Sequence, residues 1–133
     1  METKIVFDLD NTLYDLYNEG YTKAIERIER EEVGMFSKEE MLMVERKSFD
    51  TIINKLLGIG VKFAVSTWLP KNVSDDYLKI CYQEKMEWIK KNLPFISEIA
   101  TAISEGFTLL PAVFLPSSYP ALYIFTTKVS ICL

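Results

Sequence analysis

The stretch KIVFDLDNTLYD, residues 4–15, decides which fold this sequence predicts. It opens with the apolar, β-favouring residues 5–7, a run that is typical of a buried parallel strand. The run ends at Asp8, and a second carboxylate, Asp10, follows two positions later. Side chains of an extended segment repeat every two residues, so both carboxylates can lean to the same side. Ligands of open α/β sheets bind beyond the carboxyl ends of the strands, which is where this pair would lie.

Two carboxylates at a strand end suit either a hard cation such as Mg2+ or a nucleophile paired with a general acid/base. An aspartyl-phosphate intermediate needs such a carboxylate, with a metal to mask the repulsion between phosphate and attacking anion. The turn at residues 11–13 can direct backbone N–H groups at phosphate oxygens. A turn or capping role for Asp8 and Asp10 without chemistry stays the alternative. An EF-hand calcium loop is excluded, because Leu13 stands where that loop requires glycine.

The composition predicts one ordinary domain with a packed core, since 49% of the 133 residues are hydrophobic and 13% are aromatic. The net charge of -4 argues against a general nucleic-acid binder. Histidine is absent, which excludes Ser/His and Cys/His nucleophile systems and His-ligated zinc. Cys81 and Cys132 have no metal-type spacing and form no disulfide framework. We therefore expect an intracellular, cytoplasmic protein, and the N-terminal residues show no signal peptide.

Along the chain, two short buried strands are predicted, one at residues 5–7 and the other at residues 122–125. Apolar periodicity and capping residues predict helices between them, at residues 15–32, from Ser37 until Gly58, at 74–91 and at 95–105. Periodicity leaves residues 61–69 open between a short helix and an extended linker. The aromatic residues Tyr14, Tyr17 and Tyr21 are assigned to core packing rather than to substrate contact. The sequence thus predicts an α/β core interrupted by a wholly helical middle.

Residues 6–15, VFDLDNTLYD, resemble motif I of the haloacid dehalogenase-like (HAD) superfamily, an apolar strand followed by Asp-x-Asp-x-Thr. The form is similar to that of the subgroup with an α-helical cap after motif I. Residues 122–128, LYIFTTK, resemble motif II, an apolar strand that ends in Ser or Thr. The resemblance implies a partial Rossmann-like HAD core of parallel strands, residues 1–14 and 94–133, with a helical cap inserted at residues 15–93.

The resemblance also implies roles for individual residues. Asp8 would be the nucleophile and a metal ligand, and Asp10 would be the general acid/base and would help hold Mg2+. Thr12 would support the motif I loop at the phosphate site, and Thr126 would hydrogen-bond the phosphoryl oxygens. Dehalogenases of the superfamily lack an acid at the position of Asp10, so phosphoryl chemistry is preferred. The implied activity is Mg2+-dependent hydrolysis of a small phosphomonoester, such as a nucleotide or sugar phosphate.

A complete HAD domain continues past motif II to a lysine or arginine and then to an acidic pair. This chain ends at Leu133, seven residues after Thr126, so no residue takes either role and the chain is expected to be truncated. The alternative function is therefore a catalytically impaired fragment with a binding or regulatory role, or with none. The proline-studded residues 107–121 suggest an insertion. Residues 107–125 are long and uncharged enough to span a bilayer, but their prolines argue against a membrane segment.

Overall fold

The computed structural model describes residues 3–103 of the chain. Irregular segments separate the regular elements, and one of these segments contains a 3-10 turn, Glu39–Met41. In chain order the strands and helices are β1 (Lys4–Asp8), α1 (Tyr21–Glu29), α2 (Arg46–Gly58), β2 (Lys62–Leu69), α3 (Asp75–Asn92) and β3 (Glu98–Ile103). The predicted strand at residues 122–125 and Thr126 lie outside the described residues.

The strands form one parallel sheet in the order β1-β2-β3, so β2 is the central strand of the described part. Asp8 on β1 is in register with Ser66 on β2, which in turn is in register with Ala100 on β3. Parallel strands need crossover connections, and here α1 and α2 connect β1 to β2 while α3 connects β2 to β3. The carboxyl ends of the strands consequently share one edge of the sheet, which we call the carboxyl edge.

The prediction of an α/β fold with parallel strands is confirmed, and β1 lies where the sequence places the first strand. Neither alternative that periodicity left open at residues 61–69, a short helix or an extended linker, is correct, because residues 62–69 form the strand β2. Phe63, Ala64 and Val65 are all fully buried there, as expected for a central parallel strand that is covered on both faces. A run of that kind carries no alternation of apolar and polar residues, which is why periodicity alone could not identify it.

Two predictions of secondary structure are wrong. The helix expected at residues 95–105 is instead β3, because pairing with β2 satisfies its backbone in an extended conformation. The expectation of a wholly helical middle is wrong as well, since β2 lies inside residues 15–93 and pairs with β1. The division of the chain into a core and a cap stays a prediction.

Helix boundaries also differ from the sequence pattern. α1 begins at Tyr21 rather than near residue 15, because Gly20 precedes it with a φ of 104°, a conformation that glycine adopts readily. α2 begins at Arg46, where the Glu45 side chain accepts hydrogen bonds from the Lys47 and Ser48 N–H groups. The predicted Ser74 cap of α3 is confirmed, since its Oγ accepts from Tyr77 N at 3.2 Å.

Aromatic rings fill the core between the sheet and the helices. The ring of Phe63 stacks on Phe7 with the centroids 5.8 Å apart and meets the edge of Phe95 at 5.3 Å. Phe49, from α2, contacts both Phe7 and Phe95 at 5.9 and 5.7 Å. These contacts join β1, β2 and α2 to the segment that precedes β3. At the opposite edge from the carboxyl ends, Lys4 Nζ lies 2.7 Å from Glu98 Oε1 and links β1 to β3 across β2.

Adjacent isoleucines on α2 provide a matched test of this packing. Ile53 is 3% exposed and belongs to the main core cluster, whereas Ile52 is 57% exposed. We expect Ile53→Ala to lower the free energy of unfolding by about 2–5 kcal/mol, because it removes buried methyl groups and leaves a cavity. Ile52→Ala should change it by no more than about 0.5 kcal/mol. Urea denaturation of both variants measures the difference, and equal effects would contradict the packing of α2 described here.

Candidate active site

The turn that follows β1 fixes the positions of its two aspartates. The Leu9 carbonyl oxygen accepts hydrogen bonds from the N–H groups of Thr12, Leu13 and Tyr14, at 3.2, 2.9 and 2.9 Å. The side chains of Leu9 and Leu13 are buried in the core and anchor the turn there. Asn11 has a φ of 61°, a left-handed conformation that asparagine tolerates better than most residues. Asp8, the last residue of β1, and Asp10 are therefore positioned by a turn whose backbone these hydrogen bonds fix.

Asp8 lies at the carboxyl edge, half-buried, with its Oδ2 accepting a hydrogen bond from Thr12 Oγ1 at 3.2 Å. Burial raises the pKa of Asp8 to about 6, and the charge of Asp10 adds to this rise. The Thr12 hydrogen bond and the charge of Lys85 act on that pKa in the opposite direction. The surroundings of Asp8 thus disfavour its anionic form. A cation bound nearby would stabilise that form.

Asp10 is held by two partners from other elements. Its Oδ2 accepts hydrogen bonds from Thr67 Oγ1 on β2 and from Lys85 Nζ on α3, both at 2.9 Å. Lys85 Nζ also lies 3.2 Å from Asp10 Oδ1, which makes the ion pair two-pronged. The side chain of Asp10 is 12% exposed and that of Lys85 only 2%. The orientation of the Asp10 carboxylate is therefore set by side chains from β2 and α3.

Lys85 is buried, and its ammonium group makes several hydrogen bonds. Its Nζ donates to Thr67 Oγ1 at 3.0 Å and also to the carbonyl oxygen of Trp68, besides the Asp10 carboxylate. The ring of Phe36 lies over the same nitrogen, 4.5 Å from it, and adds a cation–π contact. Buried charges are tolerated when they are paired and hydrogen-bonded, and Lys85 meets both conditions.

A loop that is fastened to α3 brings Phe36 to this position. Glu84 accepts hydrogen bonds from the N–H groups of Gly34 and Phe36, at 2.8 and 3.1 Å. Tyr77 Oη donates to the carbonyl oxygen of Glu32 at 2.7 Å. The loop at residues 31–36 is thereby fastened to α3, with the Phe36 ring against Lys85 Nζ.

The structure brings three of the four predicted site residues together. Asp8 ends β1, Asp10 and Thr12 lie in the turn that follows it, and Thr12 contacts Asp8 directly. Thr126 lies outside the described residues. Among the aromatic residues expected in the core, Tyr14 is buried, but Tyr21 is 63% exposed and packs edge-on against Tyr17 at a centroid distance of 5.1 Å. The assignment of Tyr21 to the core is therefore wrong.

Sequence reasoning missed Thr67 and Lys85. Thr67 comes shortly after the buried apolar residues 63–65, a pattern like the one assigned to residues 122–126, so a signal for it was present in the sequence. The signal for Lys85 is its spacing, because it shares a helical stripe with three buried residues. Those residues are Tyr77, Cys81 and Ile89.

No family model matches this chain, and no curated protein or solved structure matches it either. Within residues 3–103, no group of three or more His, Cys, Asp or Glu side chains is arranged to hold a metal ion. In the same range no helix is both long enough and apolar enough to cross a membrane. The functional interpretation therefore depends on the geometry around Asp8 and Asp10.

The raised pKa of Asp8 predicts a pH-dependent stability. Because the folded pKa of about 6 exceeds the ordinary value of 3.8, folding opposes ionisation of this carboxyl. The resulting cost is absent below about pH 4, develops as the pH rises through about 6, and is complete at neutral pH. We expect Asp8→Asn to remove it and to raise the free energy of unfolding at pH 7 by about 1–2 kcal/mol, after allowance for solvent screening.

The measurement is urea denaturation of the wild type and of Asp8→Asn between pH 4 and pH 7, with a chelator present to exclude metal. The stability difference between the two proteins should be small at pH 4 and should grow towards neutral pH. A difference that is constant over this range would contradict the raised pKa.

Proposed function

We propose that this protein is a Mg2+-dependent phosphohydrolase of the HAD type, which cleaves a small phosphomonoester through an aspartyl-phosphate at Asp8. The observation that supports it best is the pairing of a half-buried Asp8 carboxyl with a second carboxyl, Asp10, at the carboxyl edge. Thr12 orients the first of these carboxyls, and Thr67 and Lys85 orient the second. A nucleophile and an acid/base require that kind of fixed mutual arrangement.

Asp8 and Asp10 fit a Mg2+ ion in two respects. The raised pKa of Asp8 marks a place where a cation would stabilise the carboxylate. Mg2+ commonly binds one or two carboxylates, keeps several water ligands, and takes further oxygens from substrate phosphates, so a site with few protein ligands suits it. Asp8 would ligate through its carboxylate and Asp10 from the adjacent loop. When bound, the ion would reduce the repulsion between the phosphate group and the attacking carboxylate.

In the first step, a carboxylate oxygen of Asp8 attacks the phosphorus atom, and the bond between phosphorus and the leaving-group oxygen breaks. Asp10 supplies the proton that the leaving-group oxygen requires. In the second step, water attacks the phosphorus of phospho-Asp8 and gives a proton to the Asp10 carboxylate. Inorganic phosphate leaves, and Asp8 returns to its initial form. Asp10 makes both proton transfers, in accord with a chain that has no histidine.

A generic aryl phosphate tests this proposal. The purified chain should hydrolyse it in the presence of Mg2+ and should lose that activity on addition of a chelator. Asp8→Asn should reduce turnover to the uncatalysed background, because the nucleophile is gone. Asp50→Asn, on helix α2, is the control and should keep the wild-type rate, since the Asp50 carboxylate pairs with Arg46 of the same helix.

Acid quenching during turnover should also trap a phosphorylated chain that hydroxylamine cleaves, as expected of an acyl phosphate. This species should be absent from Asp8→Asn. A folded chain without Mg2+-dependent turnover, or full activity in Asp8→Asn, would overturn the proposed function.

A further inference from the structure

The ammonium group of Lys85 has three N–H donors, and three acceptor groups surround it. They are the Asp10 carboxylate, Thr67 Oγ1 and the Trp68 carbonyl oxygen. Each donor is therefore matched by an acceptor within the described residues. Lys85 has no donor to spare for a substrate phosphate, and its burial behind Phe36 keeps it from direct contact with one. Through its hydrogen bonds Lys85 acts on Asp10, and its charge also acts on Asp8.

The direction of the hydrogen bonds follows from the chemistry of the groups. An ammonium can only donate, so Thr67 Oγ1 must accept from Lys85. The single hydroxyl proton of Thr67 is then directed to Asp10 Oδ2, 2.9 Å away. Asp10 accordingly receives one hydrogen bond from Thr67 and an ion pair from Lys85, and both require it to be an acceptor. The network thus holds the Asp10 carboxyl group in one orientation.

We infer that Lys85 is a positioning residue for Asp10, and that with Thr67 it holds the Asp10 carboxylate ready to take a proton from the attacking water. This inference rests on the proposed function. The step it concerns is the hydrolysis of phospho-Asp8. The water oxygen forms a bond to phosphorus, the bond between phosphorus and the Asp8 oxygen breaks, and the water proton passes to Asp10. Formation of phospho-Asp8 from a substrate with a good leaving group needs no proton from Asp10, so that step should depend little on Lys85.

The two steps can be separated with p-nitrophenyl phosphate as the substrate. Its kcat/KM reports the steps up to formation of phospho-Asp8, whereas kcat includes the hydrolysis of that intermediate. We expect Lys85→Met to lower kcat by about 10–100-fold, the size of effect typical when a group that orients a functional residue is lost. Its kcat/KM should stay within about threefold of the wild type, so KM falls together with kcat.

Rapid-quench measurements provide the second readout. In Lys85→Met, release of p-nitrophenol should show an initial burst, and phosphorylated chain should accumulate during turnover. Thr67→Val, which replaces the hydroxyl group by a methyl group, should show the same pattern to a smaller extent. It is the test to use if Lys85→Met does not fold. Lys79→Met, at an exposed position of the same helix, is the matched control and should behave like the wild type.

The outcomes separate the two proposals. If folded Lys85→Met or Thr67→Val loses kcat and kcat/KM equally, or loses neither, the positioning role is overturned and the proposed function stands. If the wild type itself shows no Mg2+-dependent turnover, the proposed function fails and the positioning role for this reaction fails with it. A fall in kcat alone, with accumulation of phosphorylated chain, supports the inference.

Discussion

Parallel pairing of β2 with a strand on each side is the constraint on which the rest of the described structure depends. Parallel strands are stable when both faces are covered, and the fully buried residues 63–65 meet that requirement. The same pairing places the carboxyl ends of β1 and β2 side by side, with Asp8 in register with Ser66. Thr67, one residue further along β2, then reaches Asp10. The site is thus a consequence of sheet topology as much as of the residues after β1.

A second constraint is electrostatic. A lysine that is 2% exposed must be paired, since an isolated ammonium in a core would be very costly. α3 places Lys85 in its buried stripe, and the stem of the side chain runs from the helix to the carboxyl edge, where Asp10 provides the opposite charge. Replacement of such a pair by apolar residues is often neutral or stabilising, so burial of the pair is weak evidence for a stabilising role. A role in orienting Asp10 explains the arrangement more directly.

The sequence was informative where local chemistry determines structure. The apolar run that ends at Asp8 predicted β1, and Ser74 followed by two aspartates predicted the start of α3. β2 and β3 could not be predicted from the sequence. A short apolar run fits either a strand or a buried helix, and only pairing with neighbouring strands decides between them. The same distinction between local and tertiary features applies to the site. Asp8, Asp10 and Thr12 lie in one local motif, whereas Thr67 and Lys85 reach Asp10 only through the tertiary fold.

The two pairings of β2 differ in how far apart their partners lie along the chain. Residue 4 pairs with residue 62, whereas residue 64 pairs with residue 98, so β1 is joined to β2 by the longer connection. The entropy lost on closing a chain loop grows with its length, which makes the β1–β2 pairing the more costly of the two. Asp8 and Asp10 come from β1 and its loop, while Thr67 and Lys85 come from the β2–α3 segment. The complete set of side chains therefore exists only in molecules that have closed the longer loop.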